Sequence, residues 1–220
     1  MSLLKWNDYS PQYVSKRYNI LAPIYPVFEW IFALPRGIRQ KTVDALKLRK
    51  GEVALEIGCG TGRNLLFLTK AVGEKGKVYG IDVSENMLKR AKDLKELNKW
   101  KNIELICIDA AEFKAPEKLN GVLFSLSYAT MTHGRELLRN AWKQIAPGGR
   151  VVIMDAQFPQ GLLGKLMSPL KPAITLFLKA SVLGNPYIKP IEELNEVTGC
   201  KPEVEELSKG SYFIAAAVKN

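Results

Sequence analysis

The chain has 220 residues, enough for one domain with a substantial core, and its 47% apolar and 25% charged residues are the balance of a soluble globular protein. Its formal charge of +10 is uneven: residues 1–50 hold nine bases and three acids, and residues 156–191 hold four bases and no acid. Both segments are also rich in large apolar residues, which suits an anionic membrane surface better than duplex nucleic acid, with general solubilising charge as the plainer alternative.

Three cysteines, Cys59, Cys107 and Cys200, lack metal-ligand spacing; Cys59 and Cys107 fall in strand-like runs, and free buried thiols in a reducing cytoplasm are the simplest reading. The opening MSLLKWNDYS lacks the apolar core of a signal peptide. The apolar stretches from Tyr18 to Pro35 and from Gly161 to Gly184 are interrupted by prolines and charges, so no spanning helix is expected.

In chain order, residues 10–49 read as helices joined by Pro-rich turns, with a break near Leu34-Pro35-Arg36-Gly37. The pattern then alternates: strand Val53–Ile57, helix Asn64–Ala71, strand Lys77–Ile81, and a helix capped by Ser84 that runs to about Asn98. Ile103–Ile108 and Val122–Ser125 follow as strands, Arg135–Ile145 as a helix stopped by Pro147-Gly148-Gly149, and Arg150–Met154 as a fifth strand. Strands alternating with helices predict parallel crossovers in a doubly wound α/β sheet. Beyond Asp155 come broken apolar helix over 160–184, a short helix over 190–198 ending at Gly199, and a hairpin of Val204–Leu207 and Tyr212–Val218 around Lys209-Gly210.

The most informative stretch is Glu56-Ile57-Gly58-Cys59-Gly60-Thr61-Gly62-Arg63-Asn64, which follows a strand and opens a helix. Gly58, Gly60 and Gly62 let the backbone approach a ligand closely, but Arg63 occupies the third glycine of a dinucleotide fingerprint. Glu56 would repel a pyrophosphate and attract an ammonium group, which favours S-adenosylmethionine over NAD. Asp82 ends the second strand, where it can accept from ribose hydroxyls; Asp109 follows the third and can accept from an adenine amino group, with the Ala110 amide reaching a ring nitrogen. Each acid alone reads as a helix cap or surface charge; together at successive strand ends they read as one site.

These residues resemble the class I S-adenosylmethionine-dependent methyltransferases over about residues 50–155, through E-I-G-C-G-T-G at 56–62, G-I-D-V-S-E-N-M-L at 80–88, I-D-A-A at 108–111 and A-P-G-G-R-V-V-I-M-D at 146–155. The resemblance implies a Rossmann-like sheet of seven strands, order 3-2-1-4-5-7-6, with the last strand antiparallel. It implies a helical lid over residues 1–49 and a core over 50–220 with a helical insertion at about 160–190. The cofactor set it implies is Glu56, Gly58, Cys59, Gly60, Gly62, Asn64, Asp82, Val83, Met87, Asp109, Ala110, Ala111 and Ser125, with S-adenosylhomocysteine as product. The fourth strand departs from the family, having Asn120-Gly121 where an acid usually leads. The segment Arg17–Tyr25 is similar to the Tyr-rich lid of ubiquinone and menaquinone C-methyltransferases and of lipid headgroup N-methyltransferases; Gly58–Leu65 with Phe124–Thr132 looks closer to the lipid enzymes.

Base methyltransferases carry N/D-P-P-Y after the fourth strand, where this chain has Ser125-Leu126-Ser127-Tyr128, so nucleic acid is not expected as substrate. Residues 121–135 lack a carboxylate cluster, so no metal is expected. Candidate catalytic aids are Tyr18, Tyr25, Ser127, Tyr128 and the only histidine, His133. Packing is the alternative for the tyrosines, and a solvated position at a helix start for His133. The expected acceptor is a phosphatidylethanolamine-like headgroup amine, with a quinone carbon or a soluble small molecule as alternatives and a non-catalytic binding module as the other class. A membrane rim would insert Leu3, Leu4, Trp6, Leu162, Leu163, Leu166 and Met167 beside Lys5 and Lys165; the same residues could instead pack on the sheet.

Overall fold

The structure is a computed structural model that describes residues 10–23, 34–131, 133–159, 161–181 and 184–220, without the side chains of 162, 163 and 179–181. Tyr25, Leu3, Leu4, Lys5 and Trp6 therefore lie outside the described residues, as do the side chains of Leu162 and Leu163.

Seven strands form one sheet in the order β3-β2-β1-β4-β5-β7-β6. They are β1 (Val53–Ile57), β2 (Lys77–Asp82), β3 (Ile103–Cys107), β4 (Leu119–Ser125), β5 (Ile145–Ala156), β6 (Glu203–Leu207) and β7 (Tyr212–Val218). Neighbours from β3 to β5 pair in parallel, and β7 runs antiparallel to both β5 and β6. The expected order and the reversed last strand are both present. All five residues of β1 are buried, as a strand covered on both faces requires.

Alternation along the strands supplies two cores. Leu55, Ile57, Val122, Phe124, Val151 and Ile153 face one side, with Leu138 and Ala141 of α5 (Gly134–Gln144) and Leu194 of α8 (Pro190–Thr198). Ala54, Leu123, Val152 and Met154 face the other, against α2 (Ile38–Asp44), α3 (Leu65–Val72) and Ala91 of α4 (Glu85–Leu97). Each fully buried Leu, Ile or Phe contributes about 1.5–3 kcal/mol, so these two layers dominate stability. Glu56 has the parity of Ala54 and therefore points toward α2 and α3.

Ahead of the sheet lies α1 (Pro11–Leu21), started by Ser10, whose side chain accepts from the Tyr13 amide, and by Pro11 in the first turn. Between β5 and α8 the chain makes α6 (Gly161–Met167), a single 3₁₀ turn (Ser168–Leu170) and α7 (Lys171–Ser181). That is the expected broken apolar helix. No helix among the described residues is long and apolar enough to cross a membrane.

Three sequence expectations are revised. The fourth strand begins at Leu119, three residues earlier than expected, because the Asn120 side chain accepts from the Val53 amide (3.0 Å) and ties it to β1. The fifth begins at Ile145, and its register against β4 jumps from Leu119–Ile145 to Gly121–Arg150. Pro147-Gly148-Gly149 thus lies in an irregular stretch, where Gly148 and Gly149 exchange backbone hydrogen bonds with Lys219. Finally, all three cysteines are free, but Cys107 is exposed because β3 is an edge strand.

Gly62 takes a positive φ of 80°, and a Cβ there would lie 2.7 Å from Leu65 Cδ1 and 3.1 Å from the Ala91 Cβ. It sets how closely α3 approaches α4. Gly62→Ala combines backbone strain with overpacking, and should lower unfolding free energy by about 1–3 kcal/mol in urea denaturation.

Candidate functional site

The parallel strands end together, and the cavity of interest opens at their C-terminal edge, as crevices in such sheets do. Its walls come from the loop after β1, the ends of β2 and β4, the turn after β3, the start of α5, and α1. Twelve of the thirteen expected cofactor residues line it: Glu56, Gly58, Cys59, Gly60, Asn64, Asp82, Val83, Met87, Asp109, Ala110, Ala111 and Ser125. The exception is Gly62, whose neighbours are the helices just described.

The glycine loop is fixed from two sides. Gly58 and Cys59 both donate backbone N–H groups to the Ile81 carbonyl (2.9 and 3.0 Å). Asp82 accepts from the Gly60 amide (2.8 Å) with one oxygen and from the Ser84 amide (2.9 Å) with the other. Burial raises the Asp82 pKa, and those backbone donors oppose the shift. Gly58 needs its positive φ of 71° and its missing side chain, since a Cβ would fall 2.7 Å from the Ser127 Cβ. Ser127 in turn donates to the Ile57 carbonyl (2.8 Å), closing the loop after β4 onto the loop after β1.

Glu56 is 1% exposed. Its Oε1 accepts from Asn64 Nδ2 at 2.5 Å, and Asn64 Oδ1 accepts from an Arg39 guanidinium nitrogen at 3.1 Å. Burial pushes the Glu56 carboxyl up to about 7, against the Asn64 bond and the Arg39 charge that lower it. Glu56 Oε2 and Ser125 Oγ are both buried without a hydrogen-bond partner in the structure, and both residues line the cavity. Unpaired buried acceptors of this kind are costly unless a ligand donates to them, and an ammonium group suits Glu56. Asp109 accepts from the Ala111 amide (2.9 Å), which shapes the turn after β3 and leaves the carboxyl beside the cavity.

Helix α1 closes one side. Pro11, Val14 and Tyr18 line the cavity, while Ser15 donates to the Val83 carbonyl (2.7 Å). Asn19 Oδ1 accepts from the Ser84 hydroxyl (2.7 Å) and the Asn86 amide (3.1 Å), and Asn86 Nδ2 donates to the Asn19 carbonyl (3.1 Å). Helix α1 thus rests on the segment that follows Asp82.

The remaining wall follows β4. Leu126 has a φ of 54°, strained for a leucine, and is held by its amide bond to the Met154 carbonyl (2.8 Å). Asp155 braces the next turn by accepting from the Ala129 and Ala156 amides, and burial raises its pKa to about 6. Thr130, Met131, His133 and Leu137 line the cavity there, with His133 exposed at the start of α5. Tyr128 does not line it: its ring is fully buried edge-on against Phe124, and its hydroxyl donates to Glu193 Oε2 (2.6 Å). Tyr128 therefore packs the core beneath the site, and burial first, then this bond, raises its pKa. Among the described residues no group of His, Cys, Asp and Glu could hold a metal ion.

Sequence reading missed Arg39, Ser15, Asn19 and Asp155. Glu56, an acid buried in a strand, signals the need for a compensating donor. Nothing local to it picks out a residue on another helix.

Residues 48–187 match a family model described as a methyltransferase domain. The demethylmenaquinone methyltransferase of Bacillus mycoides (strain KBAB4) is 27% identical over 213 residues, covering 94% of this chain and 84% of the relative. Its namesake from Staphylococcus aureus (strain JH9) is 30% identical over 210 residues, covering 90% of this chain and 79% of the relative. A crystal structure of a SAM-dependent methyltransferase from Aquifex aeolicus superposes with a TM-score of 0.59 at 21% identity, covering 81% of this chain and 87% of that one, a likeness of fold.

The Tyr128–Glu193 bond is the clearest structural element under the site. Tyr128→Phe should lower stability by about 1–3 kcal/mol, because Oε2 of the partly buried Glu193 loses its donor and the carboxylate keeps only its 3.7 Å pair with Arg135, and a thermal melt would register the loss.

Proposed function

This chain belongs to the class I S-adenosylmethionine-dependent methyltransferases, and from that premise we propose that it methylates a ring carbon of a quinol-type apolar acceptor. The observation that carries this acceptor is the name shared by relatives matching nine-tenths or more of the chain, demethylmenaquinone methyltransferase. The headgroup amine expected from the sequence becomes the second reading.

S-adenosylmethionine supplies a methyl carbon made electrophilic by its sulfonium sulfur. The residues of this chain position and shield it. Glu56 meets the ammonium group, Asp82 the ribose hydroxyls and Asp109 the adenine edge, so the methyl group lies toward Ser125 and the loop after β4. Leu126, Met131 and Leu137, with Pro11, Val14 and Tyr18 of α1, form an apolar wall that excludes water and suits a flat aromatic ring. A quinol ring carbon becomes strongly nucleophilic when the adjacent hydroxyl loses its proton, and the His133 imidazole at the cavity edge is placed to take it. The acceptor carbon forms the new C–C bond as the S–CH3 bond breaks, the sulfonium becomes a thioether, and the ring carbon releases its proton to solvent.

An acceptor with an apolar tail resides in a bilayer, and the segment between β5 and α8 suits that setting. Leu166, Leu170, Leu176 and Phe177 are each half or more exposed, beside Lys165 and Lys171. The segment leaves the sheet at the cavity edge and returns there, where the Asn185 amide donates to the Ala129 carbonyl (2.8 Å). We read it as a basic surface that faces an anionic membrane.

Two outcomes are expected. Methyl-labelled cofactor with a reduced demethylmenaquinone analogue should give a labelled ring methyl group, and His133→Ala should slow that turnover about 10²–10⁴-fold. Label in a lipid amine with none in the quinol would return the acceptor to the headgroup. In co-sedimentation the protein should bind anionic vesicles, lose them as salt rises, and ignore zwitterionic ones; equally little binding to both would remove the membrane surface.

A further inference from the structure

The Glu56 carboxylate is held by a relay that begins on a different helix. Arg39, on α2, donates to Asn64 Oδ1 at 3.1 Å. That contact decides which way the Asn64 amide faces, because its oxygen is engaged with the guanidinium and its nitrogen must then point to Glu56 Oε1. Asn64 is 2% exposed and Glu56 1%, so neither can turn to water for an alternative. One Glu56 oxygen is thereby tied back and the other, Oε2, is left without a partner in a residue that lines the cavity.

Among the described residues, Asp82 at the end of β2 disfavours the negative charge on Glu56, and Arg39, which also lines the cavity, favours it.

We infer that Arg39 is a positioning residue for the amino-acid end of the cofactor: acting through Asn64, it orients Glu56 to receive an ammonium group. The inference rests on reading this cavity as the S-adenosylmethionine site, and adds how that site separates the complete cofactor from fragments lacking the amino acid. Geometry and charge act together here, since an Asn64 amide turned by half a revolution would set its oxygen against the carboxylate.

The relay also couples binding to protons. With its carboxyl near 7, free Glu56 is largely protonated below that pH and largely ionised above it. An ammonium ligand prefers the ionised form, so affinity should rise with pH through about 7, by at most tenfold per pH unit while one proton is exchanged. Removing the Arg39 charge should move that midpoint upward, because only the Asn64 bond would then oppose burial and Asp82.

Calorimetry with two ligands tests this. S-adenosylhomocysteine carries the amino acid; 5′-methylthioadenosine keeps the adenosine and sulfur without it. Arg39→Gln should weaken S-adenosylhomocysteine about tenfold at pH 7 and shift its pH midpoint up, while 5′-methylthioadenosine changes by less than about twofold. Should that variant not fold, Arg39→Lys, which keeps the charge but not the planar fork, should still reduce the preference for S-adenosylhomocysteine at least about threefold. Equal weakening of both ligands, or an unmoved midpoint, would overturn the positioning role. Failure of the unaltered protein to bind S-adenosylhomocysteine would instead remove the reading of the cavity on which the inference rests.

Discussion

The carboxylate of Asp82 is the constraint on which the rest of the site depends. Its two oxygens join the loop after β1, through Gly60, to the start of α4, through Ser84. Ser84 also accepts from the Met87 amide to cap α4 and donates to Asn19 of α1. One half-buried acid therefore links sheet, glycine loop, α4 and α1, and each of those bonds is charge-assisted or cooperative with one that is. The same acid lines the cavity.

A second acid repeats the device across the cavity. Asp155, at the end of β5, ties the turn at Ala129 in the way that Asp82 ties the turn at Gly60. Leu126 can hold its strained φ because its neighbours are fixed on both sides, by the Met154 carbonyl and by the Ser127 bond to Ile57. The side of the cavity built from the glycine loop and the end of β2 is consequently polar and tied in place, whereas the side lined by Leu126, Met131 and Leu137 with Pro11 and Val14 of α1 is apolar.

Much of this was legible in the chain because strands and loops that act locally leave local marks. Glu56, Gly58, Gly60 and Asp82 lie within strand-to-loop junctions whose pattern is set by neighbouring residues, and Ser84 announces its helix. The relay of Arg39 was not legible, since its partner is 25 residues away and any of 32 basic residues could have supplied the charge. Tyr128 misled for a related reason. It follows β4, whose end lines the cavity, but the short 3₁₀ turn over Tyr128–Thr130 swings its ring into the core, toward a glutamate 65 residues later. Gly62 stands in the cofactor motif and still serves helix packing, because one run of glycines answers two steric demands.

Helix α1 contains no fully buried residue. The bonds of Ser15, Asn19 and Asn86 that join it to the core each contribute roughly 0.5–1.5 kcal/mol net, far less than the sheet layers supply. A segment held this way belongs to the low end of a protein's spread of local stabilities, and its backbone amides should exchange with solvent long before those of β1 or β4. Undocking of this one short helix would uncover the Pro11, Val14 and Tyr18 wall of the cavity while leaving the sheet intact.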